Sequence, residues 1–170
     1  AIFSETMAQI FQRSAGYQVI NNYQSYGLSD DLMYEIKQSV ISSVKTTRAA
    51  YDAYLSAGKP FASWDNPNTP EYEPNGTFMT IAYKFLEKAE TSGLGYREPL
   101  QRMMKLIERF NPNWALRFDR LHNTAAADTF RATLMASAVS YAFLQDLRSE
   151  FQNLNFPISD LIYDELYNGK

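Results

Sequence analysis

The chain has 170 residues and a mass of 19.5 kDa, with 45% hydrophobic residues, 21% charged residues, 7 Gly and 7 Pro. That balance excludes disorder, collagen and low-complexity sequence, and a chain of this size buries about 70% of the surface its unfolded form exposes. Cysteine is absent, which removes disulfides, thiolate catalysis, iron–sulfur clusters and Cys-based zinc sites together. The net charge of −3 and pI near 5.2 exclude a bulk polycation. Aromatic residues are in surplus, with 12 Tyr, 11 Phe and 2 Trp.

Residues 1–16 carry polar side chains every third or fourth place, so no targeting segment is expected there. No run approaches the ~18 apolar residues that span a bilayer. The expectation is one soluble all-α domain over residues 1–170.

Helical periodicity dominates the chain. Residues 4–15 place Met7, Ile10 and Phe11 on one face, with Ser4 as cap and Gly16 as stop. Residues 17–27 hold three Tyr without a clean period and read as a turn or irregular helix. Ser29, Asp30 and Asp31 open a long helix over about 29–57, striped by Met33, Ile36, Val40, Val44, Tyr51 and Leu55. Residues 58–76 break the pattern with Pro60, Pro67, Pro70 and Pro74 around Phe61, Trp64 and Tyr72. A loop this long inside a domain tends to be functional. Its large rings argue that it lies against its own domain or a neighbour, with Trp64 substantially buried.

Helix resumes over 77–91, with Phe78, Ile81, Ala82, Phe85 and Leu86 inward, and stops at Ser92-Gly93-Leu94-Gly95. Pro99 suits the first turn of the next helix, striped by Leu100, Met103, Met104, Ile107 and Phe110. Asn113 caps a short helix carrying Trp114, Phe118 and Leu121. Thr124 opens a second long helix to about Leu154, in which Phe130, Leu134, Ala138, Tyr141 and Phe151 form one stripe. Ile158, Ser159 and Asp160 start a short closing helix with Leu161, Ile162 and Leu166. The pattern predicts a bundle-like array of two long and several shorter helices.

Catalytic residue types are scarce. His122 is the single histidine, and Asp119 lies one turn before it, able to orient its imidazole. A histidine ending a short helix is better explained by the carbonyl ends it faces. Carboxylates gather at Glu71 and Glu73, at Glu87 and Glu90 among Lys84 and Lys88, and at Asp160, Asp164 and Glu165. The second group interleaves opposite charges and reads as a solvated face. The third sets Asp160 and Asp164 one turn apart without visible supporting ligands for a cation. No metal or cofactor is expected. Asn75-Gly76-Thr77 matches a glycosylation sequon to which no role is given.

Basic residues are more informative. Arg97, Arg102, Lys105, Arg109, Arg117, Arg120 and Arg131 outnumber the acids of 97–131 by +3, inside a chain of −3. Arginine suits bidentate phosphate contacts, and Arg102, Lys105 and Arg109 share a helix face able to follow an RNA or single-stranded DNA backbone. Tyr17, Tyr23, Tyr26, Tyr51, Tyr54, Tyr72, Tyr96, Tyr163 and Tyr167 lie mostly off the core stripes, and Tyr and Arg are enriched at protein interfaces. Two functions follow from these features. The first is a non-enzymatic structural subunit of an oligomer, capsid or filament, with Phe61, Trp64 and Tyr72 at a partner interface and an Arg face for nucleic acid. The second is a small all-α adaptor that binds a peptide or helix in a groove. An enzyme centred on Asp119 and His122 stands third.

Overall fold

The computed structural model describes residues 2–63, 75–108 and 124–168. These residues form seven helices and no strand: α1 (Ile2–Asn22), α2 (Asp30–Ser56), α3 (Asn75–Thr91), α4 (Arg97–Glu108), α5 (Ala125–Phe143), α6 (Arg148–Gln152) and α7 (Asp160–Asn168). None of them is long and apolar enough to cross a membrane.

The start of α2 follows the sequence signal. Ser29 is extended, at φ −73 and ψ 157, and its Oγ accepts the Leu32 amide at 3.3 Å. Thr124 caps α5 in the same way, accepting from Ala127 at 3.2 Å.

Four segments end by one device, a backbone amide reaching a carbonyl five residues back across a left-handed residue. Leu28 bonds Tyr23 across Gly27, Lys59 bonds Tyr54 across Gly58, Gln145 bonds Ser140 across Leu144, and Phe156 bonds Phe151 across Asn155. Two sequence expectations are corrected here. The first helix does not stop at Gly16 but runs to Asn22. A Cβ on Gly16 would lie 2.3 Å from Val40 Cγ2, so this glycine serves close packing of α1 on α2 instead of a turn. The second long helix does not reach Leu154 but ends at Phe143, because Leu144 turns left-handed at φ 52. Neither Gly nor Pro marks that stop, and the apolar spacing carries on past it to Phe151.

Leu144 is 62% exposed, so its side chain contributes little packing while its backbone is strained. Leu144→Gly is expected to stabilise the protein by about 1 kcal/mol, the usual cost of a left-handed L-residue. A rise in the urea midpoint at constant m-value measures it.

The antiparallel pair α1 and α2 is fixed by Gly16 against Val40 and by Arg13 against Ser43 and Thr47. On this pair lies α3, whose Ile81, Ala82, Phe85, Leu86 and Ala89 are buried. Its far side meets α5, which also receives α4 and α7. Helix α5 is buried nearly all round, and Ala132, Ala136, Ala138 and Ala142 let its neighbours approach. One apolar cluster joins Ile10, Tyr54, Phe85, Met103, Met135, Val139, Phe151, Phe156 and Tyr163.

Hydroxyls inside α5 have local and tertiary partners at once. Thr133, Ser137 and Ser140 donate to carbonyls four residues back, at 2.6–2.8 Å. Thr133 Oγ1 also accepts the Ser159 amide at 2.9 Å, and Ser140 Oγ accepts the Leu147 amide at 3.1 Å. Those two bonds seat the segments flanking α6 on α5.

Candidate functional site

The predicted basic face divides in the fold. Arg97 and Lys105 are exposed, and neither has an ion pair among the described residues. Arg102 is half-buried: it pairs with Glu98 and donates to the Ala142 carbonyl at 3.2 Å, at the negative end of α5. Arg131 is 2% exposed, donates to Ser63 Oγ at 3.1 Å and lies 3.8 Å from Asp128. A guanidinium enclosed in this way holds the segment after α2 onto α5 and does not face a solvent phosphate. Arg109, Arg117 and Arg120 lie outside the described residues, as do Asp119, His122 and the expected helix at Trp114.

The start of the proline-rich segment packs on its own chain. Ala62 donates to Thr77 Oγ1 at 3.0 Å, Ser63 bonds Asp128, and Lys59 Nζ donates to the Asn153 carbonyl at 2.7 Å. Phe61 is half-buried, with its ring centroid 4.8 Å from that of Phe156, so this member of the expected interface contributes to the protein's own core. Trp64 and Tyr72 lie outside the described residues. Tyr54 and Tyr163, expected off the core, are buried within it. The Tyr54 hydroxyl reaches the Leu154 carbonyl at 2.7 Å, which lets a polar ring sit inside.

The carboxylate groups also resolve. Lys84 is 7% exposed rather than solvated, because α6 covers it: its Nζ pairs with Glu87 and with Glu150 at 2.7 Å, while Lys88 holds the other Glu150 oxygen at 2.7 Å. Near the C-terminus, Arg148 bridges Asp146, Asp160 and Asp164 at 2.8–3.1 Å and stacks over Tyr163. The cation between Asp160 and Asp164 is therefore a guanidinium. No group of three or more His, Asp or Glu suited to a metal occurs among the described residues. Glu71 and Glu73 lie outside them.

These pairs set an acid limit. Burial pushes the Glu150 carboxyl up, but the ammonium groups of Lys84 and Lys88 outweigh it and hold it below the ordinary range. Burial likewise pushes Asp146 up, and hydrogen bonds from the Arg148 amide and guanidinium bring it down. A depressed carboxyl contributes stability that is complete above its unfolded pKa, about 4, and is lost as pH falls through the folded value. Lys84→Met, which keeps most of the packing, is expected to flatten this acid limb in a pH series of urea midpoints.

Two surface clefts stand out among the described residues. The larger, about 540 Å³ between α2 and α3, is lined by Lys45, Arg48, Asp52, Tyr83, Glu87 and Glu90 among others. Most of its ionised groups are already engaged. Arg48 pairs with Asp52 at 3.4 Å and covers Tyr83, Glu87 holds Lys84, and Glu90 accepts the Tyr96 hydroxyl at 2.9 Å. The other, about 400 Å³ between α1 and α4, is lined by Phe11, Ser14, Gln18, Tyr26, Arg97 and Leu100, with Ala15 and Gln101. It is unsatisfied by comparison. Phe11 and Tyr26 are 41% and 54% exposed, and among the described residues Arg97 has no ion pair and the buried Ser14 Oγ no hydrogen-bond partner. No carboxylate lines it among the described residues.

Comparison with protein-family models, with curated proteins and with solved structures gives no match for this chain. The functional reading therefore rests on the chain's own surface. The α1–α4 cleft was not foreseen as a site. Phe11, expected on the inward face with Met7 and Ile10, is instead exposed at this cleft, and the sequence signal that remains is an arginine at the start of an amphipathic helix.

Proposed function

We propose that this chain is a non-enzymatic helical assembly subunit that associates with copies of itself through the α1–α2 hairpin end and the adjoining α1–α4 face. One observation carries the reading. Residues 15–39 contain no buried residue, although they hold Tyr17, Val19, Ile20, Tyr23, Tyr26, Leu28, Leu32, Met33, Tyr34 and Ile36. An apolar helical hairpin left half-solvated is what a subunit shows before its neighbour covers it. In the nucleic-acid form of this reading, Arg97 and Lys105, with Arg109, Arg117 and Arg120 after them, meet the phosphate backbone.

The test is the native particle mass by light scattering over a range of concentrations, with the absorbance ratio at 260 and 280 nm. Mass rising with concentration is expected. A monomer at every concentration overturns the reading and favours the peptide-binding adaptor. Binding to single-stranded RNA that weakens steeply with salt is the expected signature of the Arg face. Binding that ignores salt, or is absent at low salt, removes that face from the proposal.

A further inference from the structure

The surface that complements the α1–α4 cleft lies on α7. Leu161 on α7 is 74% exposed, the most exposed of the large hydrophobic side chains described. Glu165, one turn later on the same helix face, is exposed and has no ion pair among the described residues. Around them Asp146, Asp160 and Asp164 share the single guanidinium of Arg148, so this ridge is acidic overall as well as apolar. The cleft is its complement: apolar walls of Phe11, Tyr26 and Leu100, with Arg97 at the rim and a buried Ser14 hydroxyl, neither of which has a partner among the described residues.

We infer that the α1–α4 cleft receives α7 of a second copy of this chain, with Leu161 between Phe11 and Leu100 and Glu165 on Arg97. The contact joins two different surfaces, so it is heterologous and propagates into rings or filaments rather than stopping at a pair. It deepens the assembly reading and rests on it.

The experiment compares sedimentation velocity of the wild type, Leu161→Ser, Arg97→Glu, Glu165→Arg and the double variant R97E/E165R, with circular dichroism confirming that each is folded. All three positions are exposed, so the fold tolerates these changes. Each single variant is expected to weaken self-association at least tenfold, and the double variant, with its charges exchanged, is expected to recover most of it. Wild-type assembly that the single variants leave intact, or that the double variant fails to recover, overturns this contact while the assembly reading stands. A wild type that never associates overturns both.

Discussion

Phe156→Ala is expected to lower stability by about 3–5 kcal/mol, the range for deleting a fully buried aromatic ring. Phe156 is buried, and its ring centroid lies 4.8 Å from that of Phe61, 5.2 Å from Phe151 and 6.4 Å from Tyr54. These partners come from α2, from the segment just after it and from α6, so one ring ties the end of α2 to the α6 region, far away in sequence. Its loss opens a cavity that its aromatic neighbours cannot all collapse into, and each edge-to-face contact adds about 1 kcal/mol beyond area. Urea unfolding should show a lower midpoint at unchanged m-value. Phe156→Leu should lose only about 1–2 kcal/mol, since it keeps most of the volume. Amide exchange at residues 59–63 should quicken in the Ala variant, because Phe61 loses the ring that anchors it.

Arg13 offers the second large effect, and its sign depends on the replacement. The guanidinium is buried between α1 and α2, donating to the Gln9 and Ser43 carbonyls at 2.7 Å each and to Thr47 Oγ1. No carboxylate pairs with it among the described residues, and Nε has no partner. Burial lowers its pKa, with Tyr17 opposing. A buried cation balanced only by neutral acceptors carries a desolvation cost of several kcal/mol. Arg13→Ala removes that cost but leaves a hole in the α1–α2 seam, for a net loss of about 2–3 kcal/mol. Arg13→Met fills most of the hole without the charge and is expected to match or exceed wild-type stability by about 1 kcal/mol. Equal losses in both variants would mean that the hydrogen bonds, not the volume, hold the seam.

The all-helical character was legible because periodicity and caps are local. Ser29 and Thr124 cap where the sequence says they do, since a hydroxyl three residues before an orphan amide needs no distant partner. The candidate site was legible only in part. Clustered arginines are visible in a sequence, but which of them stay open is not. Arg131 is enclosed by Ser63 and Asp128, the former 68 residues away in sequence, while Arg97 remains at the rim of a cleft.

Composition had already limited this protein's chemistry, through the missing cysteines and the lone histidine. It also announced surplus aromatic surface. Only the tertiary structure decided where that surface went. Phe61, Tyr54 and Phe156 turned inward because two regions far apart in sequence converge on them, and the rings of the α1–α2 hairpin stayed half-solvated, with Tyr17 stacked on Tyr96. Gly16 reads locally as a stop and in space as a close contact with Val40. Lys84 reads as a surface charge until α6 brings Glu150 to it. In each case the deciding partner lies more than a helical turn away, and local periodicity carries no record of it.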